Sequence, residues 1–269
     1  MDYQHIANTV ADSLISYTKD ESGWKVCKKS NDVIVSWRPS TEFPGNVYKG
    51  EGVVNGSPEK VWECLKPVPN GMRVKWDNNV KKFELLERVT EVRFTALCTL
   101  STVTSVSPFF FFLKSSPSIF WFFDYIACLL FHQGRFFIPE VVAVQYSPSD
   151  VSVYRTVTPS AAMGIIAPRD FVDVILVKQY EDGTITSNAT NVGHPNCPPQ
   201  SGYVRGLNHP CGCICVPISA EPNKTQLFSF FQTDLGGLLP RSVVDSFFPS
   251  SMAEFYSNLA KAVRSLKDH

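Results

Sequence analysis

The sequence predicts an α+β domain in which an antiparallel sheet curls around a long C-terminal helix. Three observations carry this. An amphipathic helical stripe opens the chain, a succession of short extended runs fills the middle, and a second helical stripe closes it. The order is helix, strands, helix, many strands, long helix, with no internal repeat and no low-complexity linker.

The elements follow in order. Tyr3, Ile6, Val10, Leu14 and Tyr17 stand at helical spacing. The runs "GWKVCKK", "VIVSWRPS" and "VYKGEGVV" are separated by Asn-Asp, Pro and Gly breakers and read as a meander. "GSPEKVWECL" starts a helix, with Ser57 as N-cap, Pro58 at the first helical position and Glu59 in the first turn. Phe83–Glu91 and Asp150–Thr158 read as strands, as do "FVDVILVKQY" and "GTITSNATNV", which are joined by the turn signal Asp182-Gly183. "SGYVRGLNHPCGCICVPI" and "KTQLFSFFQTDL" complete the sheet. At the C-terminus Ser251 and Glu254 form a capping box for a helix whose stripe is Met252, Phe255, Leu259, Val263 and Leu266. Pro249 is expected to separate that helix from a shorter piece, "PRSVVDSFF".

Of the 269 residues, 44% are hydrophobic and 19% charged, which is enough apolar material for a sizeable core. Lys+Arg and Asp+Glu both number 25, so no overall field attracts nucleic acid. The first twenty residues carry acids and lack a basic stretch followed by an apolar one, which is not the pattern of a signal peptide. A cytosolic protein with reduced thiols is the expectation.

Residues 92–149 break the pattern. They hold 11 of the 20 phenylalanines and only five charges, Arg93, Lys114, Asp124, Arg135 and Glu140. Lys114, Pro117 and Asp124 interrupt every window long enough to cross a bilayer, which takes about 20 apolar residues.

Catalytic signatures are absent: no nucleophile elbow, phosphate loop, dinucleotide fingerprint or His-Glu-x-x-His occurs. The one concentration of reactive side chains is "HPCGCIC". In a strand, Cys211, Cys213 and Cys215 share a face at about 6.8 Å intervals. That is too far for a shared zinc, whose ligands bind at about 2.3 Å, or for a disulfide. A half-buried strand with cysteines as small hydrophobes is the expectation, although Cys197 and His194 lie upstream as conceivable further ligands. Arg73, Lys75, Lys81 and Lys82 cluster around Trp76, either as a solvated face or as a contact for anionic lipid headgroups.

Four blocks, "RVKWDNNVKKFELLERV", "AAMGIIAPRDFVDVILV", "GYVRGLNHPCGCICVPI" and "TDLGGLLPRSVVDSFFPSSMAEFYSNLAKAV", together resemble the START (StAR-related lipid transfer) domain family. The resemblance covers residues 1–91 and 150–267 and implies a single domain, 1–91 with 150–269, interrupted by the 92–149 insertion at a hairpin turn. It implies a helix-grip fold enclosing a tunnel for one sterol-like lipid, cholesterol or an oxysterol. A bile acid, or a lipid sensor read by a protein partner, is the alternative. No enzyme activity, cofactor or metal is implied. The expected partners are the ligand and a transiently contacted membrane, with the protein a monomer. Met252, Phe255 and Leu259 fall on the tunnel wall. Met163, Ile165 and Ile166, in the Ala161–Ala167 loop, fall on the lid. Arg169 and Asp170 match the family's Pro-Arg-Asp turn, with a mutual ion pair expected to fix it. The buried acid and arginine of cholesterol-carrying relatives align with Thr156 and Ile175, so Thr156, Thr158 and Ser187 become the candidate polar anchors.

Overall fold

The computed structural model describes residues 1–95 and 143–266. By internal contact the chain divides into two units, Met1–Thr90 with Pro148–His269, and Glu91–Ser147. Most of the apolar stretch therefore lies outside the described residues. Of the second unit the described part is the end of one strand and the start of the next: β4 (Lys82–Thr95) and β5 (Ala143–Thr158).

In the first unit, α1 (Tyr3–Lys19) is followed by β1 (Lys25–Lys29), β2 (Ile34–Pro39) and β3 (Asn46–Asn55), the meander that the breakers predict. Next comes α2 (Pro58–Leu65), where the Ser57 side chain accepts from the Lys60 N–H as an N-cap should. α3 (Met72–Trp76) is a single short turn that the periodicity did not suggest. After β5 come β6 (Arg169–Gln179), β7 (Ile185–Asn191), β8 (Val204–Arg205), β9 (Leu207–Asn208), β10 (Cys211–Pro217), β11 (Lys224–Phe231) and β12 (Thr233–Asp234). α4 (Arg241–Ser265) ends the described chain.

The main sheet runs β1-β2-β3-β11-β10-β7-β6-β5-β4, with β8 alongside β6. The paired neighbours for which a register is given are antiparallel except β6 and β8. Each face buries a different set, because successive strand residues point oppositely. On one face α1 covers Val151, Val153, Val172, Val174 and Leu176 with Ala7 and Ala11. The other face receives α2 and α4 around Val35, Cys215, Leu227, Met252, Tyr256 and Leu259.

Close approach of α4 depends on glycine in "YKGEGVV". A Cβ on Gly50 would lie 2.9 Å from the Tyr256 ring and 2.6 Å from Ser229 Oγ. In its absence Tyr256 Oη donates to Gly50 O at 2.9 Å, and Ser229 donates to Tyr256 at 3.1 Å.

The expected break at Pro249 is not there: Arg241–Ser265 is one helix with Pro249 inside it. Proline forfeits one backbone bond there, and burial of Phe248, Met252, Phe255 and Tyr256 on both sides offsets that cost. For the same reason Ser251 and Glu254 are not a capping box. They hold the loop after α3, Ser251 Oγ donating to Asn79 Oδ1 at 3.0 Å and Glu254 Oε1 accepting from Asn78 at 2.7 Å.

Candidate functional site

Between the sheet and α4 lies a cavity of about 230 Å³. Strand alternation decides what it sees. From β6 it receives Arg169, Phe171, Asp173 and Ile175; from β5, Thr156 and Thr158; from β7, Ser187 and Ala189; from β10, Cys211 and Cys213. α4 contributes Phe248, Ser251, Met252 and Phe255, and the loop before β6 contributes Ile166.

The structure thus brings together Thr156, Thr158, Ser187, Met252, Phe255, Ile166 and Arg169 around one space. Leu259 is fully buried in the core beneath α4 and does not reach the cavity. Among the anchor candidates, the Thr158 hydroxyl is already engaged with β6, bonding Arg169 N at 3.3 Å and Arg169 O at 3.4 Å. Thr156 and Ser187 line the wall without such a bond among the described residues.

The sulfur-rich strand is β10. Burial pushes the Cys213 thiol up to about 11 and the Cys211 and Cys215 thiols well above their ordinary range. They are protonated packing groups. Among the described residues no group of three His, Cys, Asp or Glu side chains is placed to hold a metal.

The loop before β6 is a tight structure. Ala161 and Ile166 form an isolated bridge, and Ala162, Met163 and Gly164 between them all have positive φ, at 49°, 55° and 89°. Two non-glycine residues in the left-handed region carry strain, of order 1–3 kcal/mol each. Ile166 turns inward and is buried, whereas Met163 and Ile165 point outward, 101% and 57% exposed. Leu238, in the loop before α4, is likewise fully exposed. Arg169 ties the two loops: it donates from Nε to Leu235 O at 3.1 Å, from Nη2 to Gly236 O at 3.3 Å, and from Nη1 to Ala167 O.

The expected Arg169–Asp170 ion pair does not form, because adjacent strand residues point to opposite faces. Asp170 faces away from the cavity, where Arg155 Nε meets it at 2.9 Å and Arg205 Nε at 2.8 Å. Arg155 also pairs with Glu84 at 2.9 Å. Burial alone would raise the Asp170 carboxyl, but the two guanidiniums outweigh it and hold the group below its ordinary value. Arg169 has no carboxylate partner among the described residues, and burial lowers its pKa.

The basic cluster also divides. Lys75, Lys81 and Lys82 are exposed, while Arg73 turns inward to line the cavity, pairing with Asp77 at 3.1 Å and lying over the Phe255 ring at 5.6 Å. Trp76 Nε1 donates to Cys64 O at 3.0 Å.

One cavity residue, Asp173, was not singled out from the sequence. The available signal was parity: an acid inside "FVDVILV" that shares the alternation of Phe171 and Ile175. It is 3% exposed, and burial pushes its carboxyl up to about 7, against the lowering by its Asn208 bond and by Arg205.

Comparison with known proteins fixes the family. The chain is similar to StAR-related lipid transfer protein 5 of Bos taurus, 49% identical over 259 residues, covering 96% of this chain and 94% of the relative. The chain belongs to the START domain family. The START domain profile matches residues 138–269. Similarity extends to StAR-related lipid transfer protein 6 of Homo sapiens, 28% identical over 264 residues, covering 98% of this chain and 93% of that one. The solved structure of human StAR-related lipid transfer protein 5 superposes with a TM-score of 0.72 at 45% identity, covering 97% of this chain and 96% of that chain. Its START fold is also that of human STARD10, with a TM-score of 0.61, 15% identity, and coverage of 94% of this chain and 78% of that chain.

Proposed function

We propose that this START protein binds one sterol-like lipid, cholesterol or an oxysterol, in the cavity under α4 and carries it between membranes. The observation that carries the reading is the wall: Phe171, Ile175, Ile166, Met252 and Phe255 enclose the space, with a few polar groups set among them. Its similarity to the StAR-related lipid transfer protein 5 of Bos taurus and of Mus musculus supports it. At about 230 Å³ the cavity is smaller than the roughly 300–1,000 Å³ of typical ligand sites. Loading a sterol therefore requires the Ala161–Ala167 loop or α4 to move outward, and the strained turn at Ala162 and Met163 is the natural place to yield.

The exposed tips Met163, Ile165 and Leu238 flank the loops tied by Arg169 and suit transient contact with a bilayer. Among the described residues no helix is long and apolar enough to cross a membrane. We read the protein as a cytosolic monomer and a carrier rather than an enzyme, since burial keeps the cavity thiols protonated and the relatives it resembles are lipid transfer proteins.

A vesicle-to-vesicle transfer assay with a fluorescent sterol tests the carrier role, and catalytic transfer is expected. Stoichiometric binding without transfer would favour a lipid sensor. The Arg169 guanidinium lines the cavity and, among the described residues, meets backbone carbonyls but no carboxylate, which gives a bile acid standing as the second ligand class. Competition by cholate at micromolar concentration would favour it.

We also take residues 1–91 and 150–269 as one START domain and 92–149 as an insertion in the β4–β5 hairpin, supported by the division of the chain into two contact units. Loop closure costs only about 0.6 kcal/mol per doubling of length, so the domain tolerates the interruption. Deleting Val92–Ser149 should give a more soluble protein that still binds sterol. Loss of the folded state on deletion would place the segment inside the domain.

A further inference from the structure

Among the described residues, Asp173 is a cavity acid with a buried oxygen that the fold leaves without a hydrogen-bond partner. It projects from the middle of β6 between Phe171 and Ile175 and lines the space. Its Oδ2 accepts from Asn208 Nδ2 at 2.9 Å, and Asn208 Oδ1 accepts from Thr233 Oγ1 at 2.7 Å. Its Oδ1 is buried with no hydrogen-bond partner among the described residues. A buried acceptor left unpaired is costly, and in a binding site it marks where a ligand group is expected.

We propose that Asp173, held in place by Asn208 and Thr233, is the polar anchor of the cavity and takes the hydroxyl group of an uncharged lipid at Oδ1. This rests on the lipid-binding reading above and moves the anchor from the strand hydroxyls to the acid. The apolar body of the lipid then lies against Phe171, Ile175, Met252 and Phe255. A hydroxyl suits the site in either charge state, since it donates to a carboxylate and both donates to and accepts from a carboxylic acid. A ketone can only accept, and is held only by the protonated form.

The surroundings leave that choice to Asp173 itself. Arg205 on β8 is the cation acting on it, and its guanidinium is committed to Asp170. Cys211 on β10 has its thiol pushed up by burial and by Asp173, and Tyr154, opposite on β5, has its phenol raised by burial. Asn191, opposite on β7, and Asn208 on β9 are neutral amides. Arg169 stands four residues along β6, the Arg73–Asp77 pair closes the cavity on the α3 side, and α4 presents Met252 and Phe255. With its carboxyl near 7, Asp173 changes charge across the neutral range.

The test uses the full chain and three probes that differ at one carbon: 5α-cholestan-3β-ol, 5α-cholestan-3-one and 5α-cholestane. Binding of each is measured from about pH 6 to about pH 8.5 for the parent, Asp173→Asn and Asp173→Leu. The parent should prefer the alcohol to the ketone by a factor that rises at least about tenfold over that range. The amide of D173N does not titrate, so its ratio should stay flat, and D173L should bind alcohol, ketone and hydrocarbon alike. A ratio in the parent that does not change with pH, or a D173L that still selects the alcohol, overturns the anchor while leaving the carrier reading intact. If none of the three lipids binds the parent, both fall.

Discussion

Two aspartates three residues apart on β6 show how much a strand's two faces can differ. Asp170 and Asp173 are both buried, at 0% and 3% exposure. Asp170 faces a closed set of partners, Arg155 and Arg205, and is held below its ordinary pKa. Asp173 faces the cavity with one amide and a spare oxygen, and is pushed up to about 7. Burial alone fixes neither charge; the number and sign of the partners do. The paired face is structure, and the half-paired face leaves an acceptor for a ligand to fill.

The largest effect should come from breaking the closed side. Asp170→Ala leaves Arg205 without a carboxylate and the buried Arg155 with Glu84 alone, and breaking a buried pair in this way typically costs about 3–5 kcal/mol. Urea unfolding of this variant should show a loss in that range.

On the open side the expected effect depends on pH. The Asp173 carboxyl goes from its ordinary 3.8 to about 7 on folding, so the folded state binds more protons between those values. Its contribution to stability is therefore lost as pH rises from about 4 to about 7 and is flat above, by about 1.4 kcal/mol per pH unit in the window. Asp173→Asn removes the titration. Relative to the parent it should become progressively more stable across that window, read as the difference between two urea-midpoint profiles. An identical pH profile in both would erase the contrast between the aspartates.

The smallest effect compares two threonines on β5. Thr158→Val loses hydroxyl bonds to the Arg169 backbone and should cost about 1 kcal/mol of stability. Thr156→Val breaks no bond among the described residues and should leave the unfolding midpoint nearly unchanged. With the anchor at Asp173, the Thr156 valine variant should also bind sterol like the parent; weakened binding with stability intact would return the anchor to Thr156.

Much of this was legible in the sequence. Breakers placed β1, β2 and β3, the Asp182-Gly183 turn placed the β6–β7 hairpin, and Ser57-Pro58 placed α2, because these signals are local. What went astray depended on packing or direction. Pro249 signals a helix break by its local chemistry, but tertiary burial carries α4 through it. The match to a Pro-Arg-Asp turn suggests an ion pair between Arg169 and Asp170, whereas the pleat sends them to opposite sides. Asp173 lay hidden in an apolar run until β6 was placed between the cavity and α1, although its parity with Phe171 and Ile175 was available.

The most direct test of a cavity-bound lipid is photolabelling of the full-length protein with a diazirine sterol, followed by peptide mass spectrometry. The expected result is one adduct per chain, competed by unlabelled sterol, on β6 around Phe171–Ile175 or on α4 around Met252–Phe255. Labelling confined to the exposed tips Met163, Ile165 and Leu238, or adducts that unlabelled sterol does not displace, would contradict it.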